Sequence, residues 1–531
     1  MSASEKAFAR AAGPALNLAG MVLPADYPNA HAARVPDRVA LVFKNWRWTY
    51  GELDEACNAM AGLLRSRGIT PGTRVAYIGK NNDLFFIVLI GIVRAGAVLV
   101  PVNWRNTAPE TAFILDDSGA DLIIADAEFL PLLAEAAQRN REILVTNDPG
   151  QAGLRAKLRA TAPLPREALN PVAPSLQLYT SGTTGKPKGV LTSQHALGVQ
   201  RQMEIGTKAF DDWRDDEILL SALPSFHVGG MSWVLSGFCR GQGVVITDDL
   251  APSHLLDLCL EHDITRTFIV PTVVRAVMEE MTKRGVAIPT LRSIHYGAAS
   301  MDPLLLERSI SQLGCRFVQY YGMTEATGSI TLLDPRDHDL DRPRLLRSVG
   351  RPLPGVVLEI RDANGQLLRV GEPGEIWLQT PSLLLGYWNR PDATAEALHD
   401  GWYRSGDGGY LDEDGFLFLT DRIKDMIVSG GENVYPAEVE AALRGHPAVL
   451  DCAVFGMPHQ KWGEGVTAAV ELRPGHTVTQ EELIAFTRTC LAGYKIPRRI
   501  EFGVTLPRTA SGKVQRAAIR KYFIEKTELS L

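Results

Sequence analysis

One short segment of this chain has residue types and spacing suited to holding a chain of phosphates. Residues 179–189 read YTSGTTGKPKG. Glycines at 182, 185 and 189 permit positive φ and let backbone N–H groups approach an anion closely. Thr180, Ser181, Thr183 and Thr184 add hydroxyl donors, and Lys186 and Lys188 add positive charge. The alternating stretch 175–179 before it reads as a strand, and Ser193 is placed to cap a helix beyond it. The expected layout is therefore strand, glycine-rich loop, helix. The segment is not a Walker A loop. That pattern needs serine or threonine after the lysine, and here Lys186 is followed by Pro187, which also disfavours a helix starting at the lysine. The competing reading is a surface turn.

Further segments carry reactive or ligand-friendly residues. They are PSFHVGG at 224–230, HYGAAS at 295–300, QYYGMTEA at 319–326, WYRSGDGGY at 402–410, TDRIKDMIVSGGENVYPAEVE at 420–440, Lys461-Trp462-Gly463, and PRTASGKVQR at 507–516. Each has a bland alternative: a loop before a helix, a close-packed turn, a structural histidine, a solvated lysine.

In their order and spacing, these segments resemble the adenylate-forming superfamily: acyl-CoA and aryl-CoA synthetases, luciferases and peptide-synthetase adenylation domains. The resemblance covers about residues 30–520. It implies that the glycine loop holds the β- and γ-phosphates of ATP. In the aromatic-Gly-x-Thr-Glu motif, Tyr321 would stack on adenine beside Gly322, Thr324 would contact the α-phosphate, and Glu325 would help hold Mg2+. A carboxylate is a hard oxygen ligand suited to that ion when phosphates share it. Gly297, Ala298 and Ala299 would wall the adenine and acyl pockets. Asp407 would accept both ribose hydroxyls, as acidic residues of dinucleotide folds do. Arg422 would contact ribose or phosphate, and Lys424 would be the hinge about which a small domain rotates. Gly430 and Gly431 would line the path of the pantetheine arm of CoA, with Trp462 beside it. Lys513 would reach the carboxylate and α-phosphate, where a cation offsets charge building on phosphorus. His227 would gate the acyl pocket.

The implied reaction has two steps: acid and MgATP give acyl-AMP and pyrophosphate, then CoA gives acyl-CoA and AMP. Positioning and charge stabilisation matter more here than an acid or base. The acid is less legible. Gly229 opens one side of the pocket and Tyr320 narrows another. A medium- or long-chain fatty acid, an aryl acid or a polycyclic side-chain acid all stay open, with a hydrophobic acid expected. Two alternatives compete: a free-standing adenylation enzyme that loads a carrier protein, and a nucleotide-binding paralogue without catalysis.

The elements that must position these residues are expected as follows. Strand-like and helix-like pieces alternate through residues 39–330, implying an α/β fold of helix-covered sheets. Thr49 with Glu52 forms a capping-box pattern. Asn364-Gly365 and Asp414-Gly415 mark hairpins in a β-rich stretch of about 345–421. Pro436 suits the first turn of a helix. We expect a large N-terminal domain over 1–421 and a small mobile α+β C-terminal domain over 422–531, hinged at 421–425.

Bulk properties exclude other classes. The 531 residues exceed one core, and the net charge of −6 leaves no footprint for nucleic acid or an anionic membrane. Six cysteines without a CxxC pair argue against a disulfide framework and a cysteine zinc site, and fit a reducing cytoplasm. The N-terminal residues lack the apolar core of a signal peptide. The apolar run 84–93 is about half a membrane span and reads as a buried helix. A homodimer is compatible with the sequence, which does not specify it.

Overall fold

The computed structural model describes residues 9–133, 141–147, 153–161, 168, 170–180, 187–297, 301, 303–422, 425–429, 432–459, 462–508 and 514–528. The chain divides into two compact units. One comprises Ala12–Val357 with Gln379–Tyr403, and the other Met1–Ala11, Leu358–Leu378 and Arg404–Leu531.

Two sheets organise the first unit. A seven-stranded sheet runs in the order Gly386–Tyr387, Lys188–Ser193, Pro174–Thr180, Val98–Val102, Arg74–Ile78, Leu122–Ala125, Glu142–Val145. Its centre is parallel, with Arg74–Ile78 between Val98–Val102 and Leu122–Ala125. A nine-stranded sheet runs Arg351–Pro352, Gly328–Leu333, Arg316–Met323, Ser293–Gly297, Arg266–Phe268, Ile218–Ser221, Gly243–Ile246, Val39–Phe43, Trp46–Thr49. Parallel strands need helical crossovers, which is why apolar strand signals alternate with helical spacing in the sequence.

The helices carry the caps their sequences announce. Thr49 and Glu52 form a reciprocal capping box on the helix Tyr50–Ser66. The apolar run is the helix Asp83–Arg94, buried along its whole length. No described helix is long and apolar enough to cross a membrane. Asp83, fully buried at the start of that helix, is satisfied by Trp48 Nε1 at 2.7 Å and by Arg155 at 2.5 and 2.9 Å. A buried carboxylate is tolerated only with such partners.

The second unit has two sheets of its own. Val357–Arg361, Gly374–Gln379, Trp402–Leu411 and Leu417–Arg422 form a β-rich layer, and Gly415 at φ 76° turns the last hairpin. The hairpin at Asn364-Gly365 is smaller than expected. Gly365 takes φ 78°, and the turn is closed by an isolated bridge between Arg361 and Leu367, with Asp362 N donating to Gln366 O and Leu368 N to Ile360 O, each at 2.9 Å. A five-stranded sheet of Glu432–Val434, Ile427–Ser429, Gly463–Leu472, Val449–His459 and Arg499–Phe502 packs the helix Pro436–Arg444. Pro436 opens that helix as expected.

Candidate functional site

The glycine loop does not open a helix. Pro174–Thr180 and Lys188–Ser193 are antiparallel neighbours, with Thr180 paired to Lys188. The expected strand–loop–helix order is corrected to strand–loop–strand, followed by the helix Gln194–Ile205. Ser193 does cap that helix, its Oγ accepting from Ala196 N at 3.1 Å. Ser181, Gly182, Thr183, Thr184, Gly185 and Lys186 lie outside the described residues. The loop's two anchors, Thr180 and Lys188, are both described.

The hairpin brings Thr180 to Glu325. Thr180 Oγ1 donates to Glu325 Oε1 at 3.4 Å, across 145 residues of sequence. Tyr387 donates its phenol proton to the same oxygen at 3.2 Å. Its hydroxyl also lies 3.1 Å from Tyr403 Oη. One phenol has one proton, so Tyr403 is then the donor to Tyr387. Burial and the neighbouring Glu325 push the Tyr387 phenol up, keeping it protonated. Lys188 Nζ stands 5.1 Å from the centre of the Tyr387 ring.

Backbone geometry holds the Glu325 turn. Tyr320, Tyr321 and Gly322 end the strand Arg316–Met323, and Thr324–Ala326 form a single tight turn. A Cβ at Gly322 would collide with the carbonyl oxygen of Gly328, so the ladder leaves room only for glycine. Thr327 follows at φ 61°, a strained value for a β-branched residue. Three bonds from the segment 382–384 hold it there. Thr327 Oγ1 donates to Ser382 O at 2.6 Å, Ser382 Oγ to Ala326 O at 2.9 Å, and Leu384 N to Glu325 O at 2.8 Å. Tyr321 is half-buried at the end of its strand.

Gly297 pairs in parallel register with Tyr320. A Cβ there would come 2.7 Å from Tyr320 O and 3.5 Å from Phe268 Cζ. Ala298 and Ala299 lie outside the described residues. His227 precedes the helix Val228–Arg240, its ring 4.5 Å from that of Phe226. A Cβ on Gly229 meets nothing within 4 Å, so this helix start borders open space.

In the second unit, Asp407 and Arg422 are direct partners on antiparallel strands. Gly406 takes φ 69° just before Asp407. Gly406 N donates to Glu375 Oε1 at 3.2 Å, and Ser405 Oγ donates to Ile376 O at 2.6 Å. A local irregularity between Asp407 and Gly409 leaves the half-buried aspartate at a bend in its strand. The Arg498 guanidinium lies over the half-buried Trp462 ring at 4.5 Å. Lys424, Gly430, Gly431 and Lys513 lie outside the described residues.

Sequence reasoning missed Tyr387 and Tyr403. Tyr403 stands inside the quoted segment 402–410 but has no role assigned there, Tyr387 stands in none of the quoted segments, and only the third dimension brings the pair to Glu325. No cluster of three or more metal-ligating side chains occurs among the described residues. Mg2+ shared with a polyphosphate binds through one or two carboxylates plus phosphate oxygens and water. Glu325, with one oxygen already oriented by two hydroxyls, is a fitting donor.

A site that joins a hydroxyl- and lysine-bearing hairpin to one oriented carboxylate can hold a polyphosphate. Comparison with known proteins identifies which kind of enzyme has it. The family described as AMP-binding enzyme matches residues 29–388, and the AMP-binding enzyme C-terminal domain matches 438–513. The chain is 39% identical to a fatty acid–[acyl-carrier-protein] ligase of Streptomyces coeruleorubidus, covering 93% of this chain and 95% of that one. It is 36% identical to a feruloyl-CoA synthase of an Amycolatopsis species, over 94% and 98% of the two chains. The o-succinylbenzoate CoA synthetase of Bacillus subtilis, solved with its acyl-adenylate intermediate, aligns with a TM-score of 0.83 and 30% identity over 93% and 98% of the chains. This α/β chain is an enzyme and belongs to the adenylate-forming, AMP-binding family of acid ligases.

Proposed function

We propose that this enzyme activates a hydrophobic carboxylic acid with ATP and passes the acyl group to the thiol of CoA. The observation that carries the reading is the meeting of Thr180 and Glu325, two motif residues that the hairpin joins at 3.4 Å. The acid's carboxylate oxygen attacks the α-phosphorus, the bond to the β-phosphate oxygen breaks, and pyrophosphate leaves. The mixed anhydride supplies AMP as a leaving group. The thiol sulfur then attacks the acyl carbon, and AMP departs with the electron pair of the C–O bond.

Each residue has a part in this proposal. The loop from Thr180 to Lys188 cradles the β- and γ-phosphates, and Thr324 meets the α-phosphate. Tyr321 stacks on adenine, and Asp407 with Arg422 reads the ribose. Glu325 holds Mg2+, which when bound offsets phosphate charge. Lys513 stabilises charge on phosphorus in the first step and must vacate before the thiol enters. Rotation about Lys424 in a 421–425 hinge achieves the exchange, bringing Gly430, Gly431 and Trp462 to the pantetheine arm. The two family matches, ending at 388 and starting at 438, flank that hinge. His227, Gly229, Gly297 and Tyr320 border the acid.

One observation favours a second reading for the acceptor. The relative at 39% identity is named for an acyl-carrier-protein, so a carrier's phosphopantetheine thiol could replace CoA. The experiment is incubation with MgATP, CoA and a panel of acids from butyrate to palmitate, with benzoate and cinnamates, followed by mass spectrometry. Acyl-CoA and AMP are expected. Acyl-AMP without acyl-CoA moves the acceptor to a carrier protein. No acid-dependent pyrophosphate at all sinks the acid-activation reading.

A further inference from the structure

The first residue of the segment HYGAAS, to which the sequence assigned no role, supports the wall proposed for the acid pocket. His295 is fully buried two residues before Gly297 on the strand Ser293–Gly297. Its Nδ1 lies 2.9 Å from Tyr320 Oη and its Nε2 lies 3.0 Å from Ser293 Oγ. Arg266 Nη1 donates to that same Ser293 Oγ at 2.8 Å. Arg266 is itself fixed by Glu217 at 3.0 Å and by Asp212 at 3.0 Å. The imidazole and the Tyr320 ring stack at 5.7 Å with 18° between their planes. Trp233 packs 4.7 Å from the imidazole, with Trp213 at 5.9 Å and Phe210 at 6.0 Å. Phe268 lies 5.6 Å from Tyr320 on the side towards Gly297.

Two consequences follow from this packing. Tyr320 has a single hydroxyl, and it is engaged by His295 on the face the two share. What the ring offers at the Gly297 side is hydrocarbon. A tyrosine held only by packing can swing about χ1; one bonded at its tip to a buried, doubly bonded imidazole cannot do so without stranding a buried polar group, which is costly.

We propose that His295 is a positioning residue for substrate choice: it locks Tyr320 as a fixed, apolar wall, so the enzyme takes acids whose part beside that wall is apolar and slim. The proposal rests on the reading above that Tyr320 borders the acid. Burial and the nearby Arg266 charge push the imidazole well below the usual histidine range, so it stays neutral and the lock holds through neutral pH.

The test is a double-mutant cycle on the full-length enzyme, measuring kcat/KM for slim acids (octanoate, cinnamate) and bulky ones (a branched fatty acid, a 3,5-disubstituted cinnamate). Pyrophosphate release and KM for ATP are followed in parallel. Tyr320→Ala is expected to raise the bulky-to-slim ratio about tenfold or more, the scale of a small change in pocket volume. His295→Leu is expected to move the ratio the same way, with KM for ATP unchanged. His295→Gln, which can still bond Tyr320, is expected to restore most of the selectivity. Adding His295→Leu to Tyr320→Ala is expected to change nothing further. If Tyr320→Ala shifts the ratio and His295→Leu does not, the positioning claim is overturned. If the two effects simply add, His295 acts on its own and the claim is equally overturned. If Tyr320→Ala leaves the ratio unchanged while acid-dependent pyrophosphate release persists, the pocket assignment fails and acid activation stands. Should His295→Leu fail to fold, the comparison of His295→Gln with His295→Asn, whose shorter side chain cannot reach Tyr320, decides the same question.

Discussion

The phenol of Tyr387 and the carboxylate of Glu325 are joined by a 3.2 Å hydrogen bond, although 62 residues separate them in sequence. A hydrogen bond to a charged group contributes about 1.5–3 kcal/mol. Tyr387→Phe removes it and keeps the ring under Lys188. The expected result is a rise in KM for MgATP of about tenfold, with KM for the acid unchanged. Steady-state kinetics with varied MgATP at saturating acid would show it. An unchanged KM would make the bond purely structural.

The half-reactions should separate by mutation. Lys513→Ala should abolish acid-dependent pyrophosphate exchange yet form thioester from supplied acyl-AMP. Lys424→Pro should do the reverse. Both rates are measured in the same protein preparations, so misfolding, which would depress both together, is recognisable.

Asp407, at the bend beside Gly406 and opposite Arg422, is predicted to read the ribose. The intact enzyme should discriminate against 2′-deoxy-ATP, and Asp407→Ala should erase that discrimination by lowering activity with ATP alone. Retention of the full ratio in the variant would exclude the role.

Stability should fall as the solution is acidified, for a reason located in two histidines. Burial pushes His338 down to about 4, and His295 is also lowered by burial and by Arg266. The folded chain keeps both neutral while the unfolded chain takes up protons below about 6.5. The folded state therefore binds fewer protons, and stability drops as pH falls from about 6.5 towards 4, His338 contributing on the order of 3 kcal/mol across that window. Denaturant midpoints from pH 7.5 to 4.5 would trace the loss, and His338→Phe should flatten it.

Thiol labelling should find one fast cysteine. Cys490 is exposed, while Cys57, Cys259, Cys315 and Cys452 are buried. Burial pushes the thiols of Cys57, Cys259 and Cys315 up to about 12, and that of Cys239 up as well. A native protein labelled with a chromogenic disulfide should react once rapidly, at Cys490, and Cys490→Ser should remove that phase.

Local signals in the sequence were legible where their physics is local. Thr49 with Glu52, Ser193, Pro436 and Asp414-Gly415 each act within a few residues, and each stands where its chemistry places it. The second strand of the glycine hairpin was not legible. Lys188–Ser193 has only Val190 and Leu191 as apolar residues, too few to show a period, and its stability comes from pairing with Pro174–Thr180. Tyr387, His295 and Tyr403 act through partners elsewhere in the chain, and although His295 and Tyr403 stand inside quoted segments, nothing in those segments names the partners. The 421 boundary followed a change of texture. The compact units group the β strands at 358–378 and 404–422 with the C-terminal residues, because sheet pairing ignores chain order.

The hairpin that carries the glycine loop also decides where attraction for phosphate can come from. In a loop that opens a helix, unpaired amides and the helix dipole draw the anion in. Here the following helix begins six residues after Lys188 and is already capped by Ser193. On the proposed reading, long-range pull on a triphosphate would fall to side-chain charge, chiefly lysine, which dissolved ions screen within about 10 Å at 0.1 M. Nucleotide capture, on that same reading, is therefore expected to weaken as salt is added, which KM for MgATP measured across a salt series would show.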